Sequence, residues 1–346
     1  MKTVEREIAR ESNLELLRII AILFVLIDHA DFYTLGHPAP HEISLSPFST
    51  SMRFIIQSFT SVCVNVFIFI SGWFGITPRL KRFCGFIFQI WFMKVFLHIF
   101  FLILGREEQW DFSLNFVLDN FFYGNWFILS YIVLYAISPM LNIFIENVSQ
   151  HQFKIFLCLF FLIQTLFGFI HDAYFFHHGY SPLTFMGLYL LARYVRLYPN
   201  LFTTKSFFFD LGVYILMSCI TTLCAIVYTE ITGITDSLFY AYSSPFIIIA
   251  ALYFFLLFTK VNFRNRLVNW IANSAFAAFL LHMDKSFFIP YYYGPINRWF
   301  LNDSSPIFLL KVSALIFIVF VTSIVVDKVR EYMWNILSKH IFVRNR

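Results

Sequence analysis

Charge is scarce in this 346-residue chain: Asp, Glu, Lys and Arg together make up 13% of it, against 59% hydrophobic residues. That shortage excludes a soluble globular domain, whose surface needs about twice the charge. Glycine is also sparse, at 12 residues, and no Gly-rich phosphate loop or Gly-x-Ser-x-Gly elbow occurs, so neither a nucleotide-binding loop nor a serine-hydrolase nucleophile is in view. The five cysteines (Cys63, Cys84, Cys158, Cys219, Cys224) all fall in apolar runs, where a thiol behaves as a small hydrophobe. His177-His178 and His282-x-Asp284 lack the three or four ligands at workable spacing that a zinc site requires, so no metal is expected. No paired-carboxylate signature is present. The basic loops are accounted for by membrane topology, which leaves no case for nucleic-acid binding.

What the chain has instead is length after length of apolar sequence, with a mean hydropathy of +0.72. At about 20 residues per span, the expectation is an all-α membrane bundle of about ten helices, at roughly 13–33, 54–76, 83–104, 122–145, 153–170, 182–198, 206–229, 240–259, 267–289 and 306–327. They form one membrane domain over 1–346, with no soluble cofactor-binding domain and no cleaved signal peptide expected at MKTVEREIARES. Residues 111–121, DFSLNFVLDNF, read as an interfacial helix. Lysine and arginine gather in the even connections, on the same side as the termini, among them Arg79, Lys81, Arg82, Arg193, Arg196, Arg264 and Arg266. The other side has only Arg53, Arg106, Lys285, Arg298 and Lys311. The positive-inside rule therefore expects both termini in the cytoplasm. The opposite loops, HDAYFFHHGYSP and PYYYGPINRWFLNDSSP, are aromatic and amide-rich, which suits interfacial anchoring and also stacking on sugar rings.

Within this apolar background the first span, ELLRIIAILFVLIDHADFY (15–33), carries Glu15, Arg18, Asp28 and His29. An ionisable residue at membrane depth costs about 2.5–3.5 kcal/mol on insertion scales, so it faces a bundle interior or a wet cavity. Arg18 and His29 are eleven residues apart, about three turns and about 16 Å of helical rise, which sets them on one face. Glu15 stands one turn before Arg18 and can pair with it. Snorkelling by Arg18 and a single interhelical hydrogen bond by His29 are the bland alternative. Lys94 and His98 form an i, i+4 pair in the third span, where Lys94 needs a partner; Asp28 is one candidate.

The Arg-x10-His pattern inside LELLRIIAILFVLIDHA resembles the first-helix signature of membrane acyltransferase family 3, which includes bacterial O-acetyltransferases of surface polysaccharides. VNVFIFISGWFGI (64–76) is similar to the family's second-helix pattern ending in Ser-Gly-aromatic. NWFILSYIVLYAISPMLN (125–142) resembles its Trp-Phe…Tyr…Pro segment, and NSAFAAFLLHM (273–283) a late helix ending in Leu-His. The four follow in the family's order over about residues 10–330. The resemblance implies a membrane-embedded enzyme of the bacterial inner membrane. Its co-substrate would be cytoplasmic acetyl-CoA or another acyl-CoA, and its acceptor a hydroxyl of an envelope polysaccharide or lipid-linked saccharide. Arg18 and His29 would be the catalytic pair, His29 serving as general base or as acyl acceptor. Ser71, Gly72 and Trp73 would line the donor arm, and Arg79 and Arg82 would hold its phosphates, since guanidinium groups bind phosphate bidentately. Many members carry a dense arginine cluster at the start of the third helix. Here Arg79, Lys81 and Arg82 precede that helix and Lys94 stands within it, which adds Lys94 to the donor set. Asp28, His282 and Trp126 remain as acceptor contacts. A glycan or lipid transporter, with the same polar residues lining a path, is the competing reading.

Overall fold

The computed structural model describes residues 11–105, 125–201, 203–235 and 238–343. The segment 111–121 lies outside them. The described residues form helices joined by turns and loops, with no strand among them, and the longer elements are labelled here in chain order. They are α1 Ser12–Ala30, α2 Pro47–Thr60, α3 Cys63–Phe74, α4 Leu80–Ile103, α5 Trp126–Asn147, α6 Gln150–Gln164 and α7 Pro182–Leu197. There follow α8 Phe207–Thr232, α9 Pro245–Thr259, α10 Arg266–Ala272, α11 Phe276–His282 and α12 Ser305–Val343.

Starts are signalled locally. Pro47, Pro182 and Pro245 each occupy the first turn, where the missing N–H costs nothing. Ser149, Ser181 and Ser206 accept backbone N–H bonds at their helix N-termini.

Among the described residues, seven helical stretches are long and apolar enough to cross a membrane: Pro47–Phe74, Leu80–Ile103, Trp126–Asn147, Gln150–Ile170, Phe207–Thr232, Leu238–Thr259 and Ser305–Phe342. This is a multi-pass membrane protein, and seven of the about ten expected spans are matched by these stretches. The three expected spans missing from the seven each have a physical reason. Helix α1 carries Glu15, Arg18 and Asp28 within 19 residues. Helix α7 has only 16 residues. The run 267–289, read as one span, is broken: α10 stops at Ala272, α11 starts at Phe276, and the backbone between them tightens to i→i−3 bonds at Ser274, Ala275, Ala277 and Ala278. Asn273 and Ser274, whose side chains compete with helical bonding, sit at that junction. The last helix also departs from expectation. It does not stop near 327 but runs 39 residues, about 58 Å at helical rise.

Helix α1 is the axis of the assembly and packs on α2, α3, α9, α10, α11 and α12. Its two apolar faces belong to different cores. Leu14, Leu17, Ala21 and Val25 join α3, α7 and α9. Ile19, Ile22, Leu26 and Ala30 join α4, α11 and α12. Each set advances by three or four residues, the spacing of one helical stripe. On a helical wheel Arg18 and His29 fall between the two stripes, so they point into the seam where the half-bundles meet.

Candidate active site

The seam holds two polar clusters, one at each end of α1. At the N-terminal end Arg18 donates to Glu15 Oε2 at 2.6 Å, the pairing that the one-turn spacing predicts. Beside it lies a cavity of about 340 Å³ whose wall includes Arg18, Ser71, Arg82, Tyr131 and Tyr135, drawn from α1, α3, α4 and α5. Three of the sequence-nominated residues, Arg18, Ser71 and Arg82, thus converge on one space. The remaining donor candidates are placed otherwise.

Gly72 is a packing contact: a Cβ there would come within 2.7 Å of the Tyr189 carbonyl oxygen and 2.8 Å of Ala192 Cβ, so α3 and α7 touch backbone to backbone. Trp73 turns away from the cavity, packing on Phe255 and lying under the Arg196 guanidinium, 5.1 Å from the ring centre. Its carbonyl accepts from Arg193 and Arg196. The Arg79 backbone exchanges hydrogen bonds with the Tyr135 hydroxyl, N–H donating at 2.8 Å and the carbonyl accepting at 3.1 Å, which pins the loop that leads into α4 beside the cavity. Lys94 lies about 18 Å further along α4 than Arg82. Its charged neighbours are Asp284 and Lys285, so it joins neither the cavity nor Asp28.

At the C-terminal end of α1, His29 Nδ1 lies 2.8 Å from His282 Nε2, and His282 Nδ1 lies 2.6 Å from the Ala278 carbonyl oxygen. His282 is fully buried. The two rings are flanked by Tyr33, 5.1 Å from His29 between ring centres, and Tyr292, 5.7 Å from His282. Tyr292 is itself anchored, its hydroxyl donating to the Leu26 carbonyl. Thr34 donates to the His29 carbonyl at 2.6 Å, capping an orphan acceptor at the end of the helix. Asp28 points to the other side of α1 and accepts from the Gln57 amide. Its carboxyl acts electrostatically on Tyr180, Tyr242 and Cys63.

Trp126 belongs to that same neighbourhood. Its ring is 4.5 Å from Tyr180 and stacks on Tyr242 at 5.6 Å. Of the three residues nominated as acceptor contacts, His282 meets His29 directly, Asp28 is its neighbour in the chain, and Trp126 connects to Asp28 only through Tyr180 and Tyr242. Between the two clusters Ile22 and Val25, 2% and 6% exposed, fill the seam.

Sequence reading did not nominate Tyr131, Tyr135, Gln57, Tyr33 or Tyr292. The first two had a signal, an i, i+4 pair that faces the same side of the span as Phe127. Gln57 had a weaker one, a lone amide in an apolar run. Nothing in the order of residues paired His29 with His282.

Against known families, a model described as an acyltransferase domain matches residues 11–327, nearly the whole chain. No curated protein and no solved structure matches it.

Proposed function

The chain belongs to membrane acyltransferase family 3, and on that premise we propose that it transfers an acyl group, acetyl in the simplest case, from cytoplasmic acyl-CoA to an acceptor hydroxyl. The acceptor is an envelope polysaccharide or its lipid-linked precursor, and the setting is a bacterial inner membrane. The observation that carries this reading is the convergence of Arg18, Ser71 and Arg82 on one cavity, with His29 three turns further along the same helix.

Small-molecule sites run from about 300 to 1,000 Å³, so the cavity takes part of the donor rather than all of it. In this reading it holds the phosphate end of the arm, with Arg18 and Arg82 as counter-charges. The aromatic rings of Tyr131, Tyr135, Phe83 and Phe86 supply apolar wall. The acyl end travels along the seam toward His29, which requires the half-bundles to part where Ile22 and Val25 meet their neighbours. There His29 takes the proton of the acceptor hydroxyl as its oxygen bonds to the thioester carbonyl carbon. The tetrahedral adduct collapses, the C–S bond breaks, and the imidazolium returns its proton to the departing thiolate. In the two-step variant the His29 nitrogen itself accepts the acyl group before the hydroxyl does. The tyrosines and Trp126 around Asp28 fit a sugar ring by face stacking.

The test is release of label from radiolabelled acetyl-CoA by the purified protein in proteoliposomes with envelope glycan as acceptor. Wild type transfers label, and His29→Gln drops transfer by about 10²–10⁴-fold, the range of a lost general base, with unfolding temperature unchanged. Transfer at the wild-type rate by His29→Gln, or no turnover of any acyl-CoA by wild type, overturns the reading and leaves glycan translocation as the one to examine.

A further inference from the structure

The hydrogen bonds of the two histidines fix where their protons are. A carbonyl oxygen only accepts, so the contact between His282 Nδ1 and the Ala278 carbonyl requires the proton on Nδ1 of His282. In a neutral imidazole the other nitrogen then holds a lone pair, and His282 Nε2 must be an acceptor. The group facing it at 2.8 Å is His29 Nδ1, which must donate. His29 is thereby held as the Nδ1–H tautomer, with its lone pair on Nε2. No hydrogen bond to Nε2 of His29 comes from any described residue.

A carboxylate is the usual orienting partner of a catalytic histidine. Asp28, the nearest in sequence, does not serve, because its carboxyl is taken by Gln57 on the other side of α1. The titratable groups that do face the pair are Tyr33, against His29, and Tyr292, against His282 and already donating to Leu26. Neither bonds to a ring nitrogen. His282 in turn is held rigidly: it is fully buried, at the end of α11, with its own ring fixed by a carbonyl one turn back in the same helix.

We infer that His282 is a positioning residue: it locks His29 in the tautomer and orientation that present Nε2 as the basic atom to the acceptor hydroxyl. This rests on the proposed acyl transfer by His29. In the transfer step the hydroxyl proton goes to Nε2. The positive charge then spreads through Nδ1–H to the lone pair of His282 and, through its Nδ1–H, to the Ala278 carbonyl. The relay polarises without any proton leaving His29. An unconstrained histidine favours the opposite tautomer, so without the acceptor on His282 most His29 side chains would present N–H, not a lone pair, at Nε2.

Two full-length variants and two readouts test this. His282→Leu keeps apolar volume and removes the acceptor; His282→Gln puts a carbonyl oxygen near the position of Nε2. Expected for His282→Leu is a fall in kcat of about 10²–10³-fold, within the range of general-base catalysis, with KM for acetyl-CoA unchanged. His282→Gln should stay within about tenfold of wild type, as a restored orienting hydrogen bond implies. The second readout needs no substrate: 15N shifts of histidine-labelled protein should report Nδ1–H for His29 in wild type and in His282→Gln, and Nε2–H in His282→Leu. Retention of wild-type kcat, or of the Nδ1–H tautomer, by His282→Leu overturns the inference. If His282→Leu fails to fold, loss of both activity and tautomer in a folded His282→Gln overturns it equally. An inactive wild type sinks the acyltransfer reading alone, and the tautomer measurement then still decides whether His282 orients His29.

Discussion

Arg18 and Arg82 approach one cavity from different helices, and their settings differ. Arg18 is half-buried and tied to Glu15, whereas Arg82 is exposed at the start of α4. If both bind donor phosphate, Arg82→Ala raises KM for acetyl-CoA about tenfold to a hundredfold, the value of a charged hydrogen bond of about 1.5–3 kcal/mol, and leaves kcat within about threefold. Steady-state kinetics with varied acetyl-CoA checks it; a fall in kcat with unchanged KM would remove Arg82 from the donor site. At this scale the sequence was most informative where partners are close in the chain. The Glu15 to Arg18 pair follows from one turn of helix, and the shared face of Arg18 and His29 follows from their eleven-residue spacing. Lys94 defeated the same reasoning, because its companions Asp284 and Lys285 are nearly two hundred residues away and no periodicity links them. His282 was nominated as an acceptor contact, but its pairing with His29 was not visible.

A helix sets phase as well as distance. One alanine inserted between Leu23 and Phe24 would turn His29 by about 100° relative to Arg18 and lift it about 1.5 Å, out of the seam and off His282. Such an insertion should abolish transfer while acetyl-CoA binding at the Arg18 end persists, which a binding assay beside the activity assay would separate; retained transfer would mean that the register of α1 is not what aligns the site. The elements that sequence misjudged are instructive for the same reason. The run 267–289 is apolar enough to read as one span, and hydropathy is blind to the Asn273-Ser274 junction that breaks it. Yet that break ends in α11, which carries His282 into the seam. Irregular backbone at membrane depth is tolerated where protein buries it, and such places are commonly functional. The overlong α12 escaped for the opposite reason. Asp327, Lys328, Arg330 and Glu331 look like the end of a span, but they pair along the helix and let it continue.

Across the molecule, the all-helical membrane architecture was legible in composition alone, and the division into two cores was not, since only the contacts of α1 reveal it. One half is clamped by Asp327, which is fully buried and accepts from Arg330 at 2.6 Å on its own helix and from Gln89 of α4 at 2.9 Å. Removing one partner of a buried pair is costly because the other stays charged and dry. Arg330→Met should therefore destabilise by about 3–5 kcal/mol, and the double change Asp327→Leu with Arg330→Met by less than the single one. Unfolding in detergent compares the two; a double variant worse than the single would mean that the pair itself holds α4 to α12.

The dependence of α1 on distant residues also has a dimension in time. It is the first described helix to leave the ribosome, yet Ser12 waits for Asn265, Asn13 for the Phe258 carbonyl, and His29 for His282, partners 245 to 253 residues later. Through most of translation Arg18 is matched by Glu15 and Asp28 by Gln57, but Ser12, Asn13 and His29 remain without their final partners. A nascent chain interrupted before α9 would thus expose an incomplete seam, a mark by which quality control can tell an unfinished copy from a finished one.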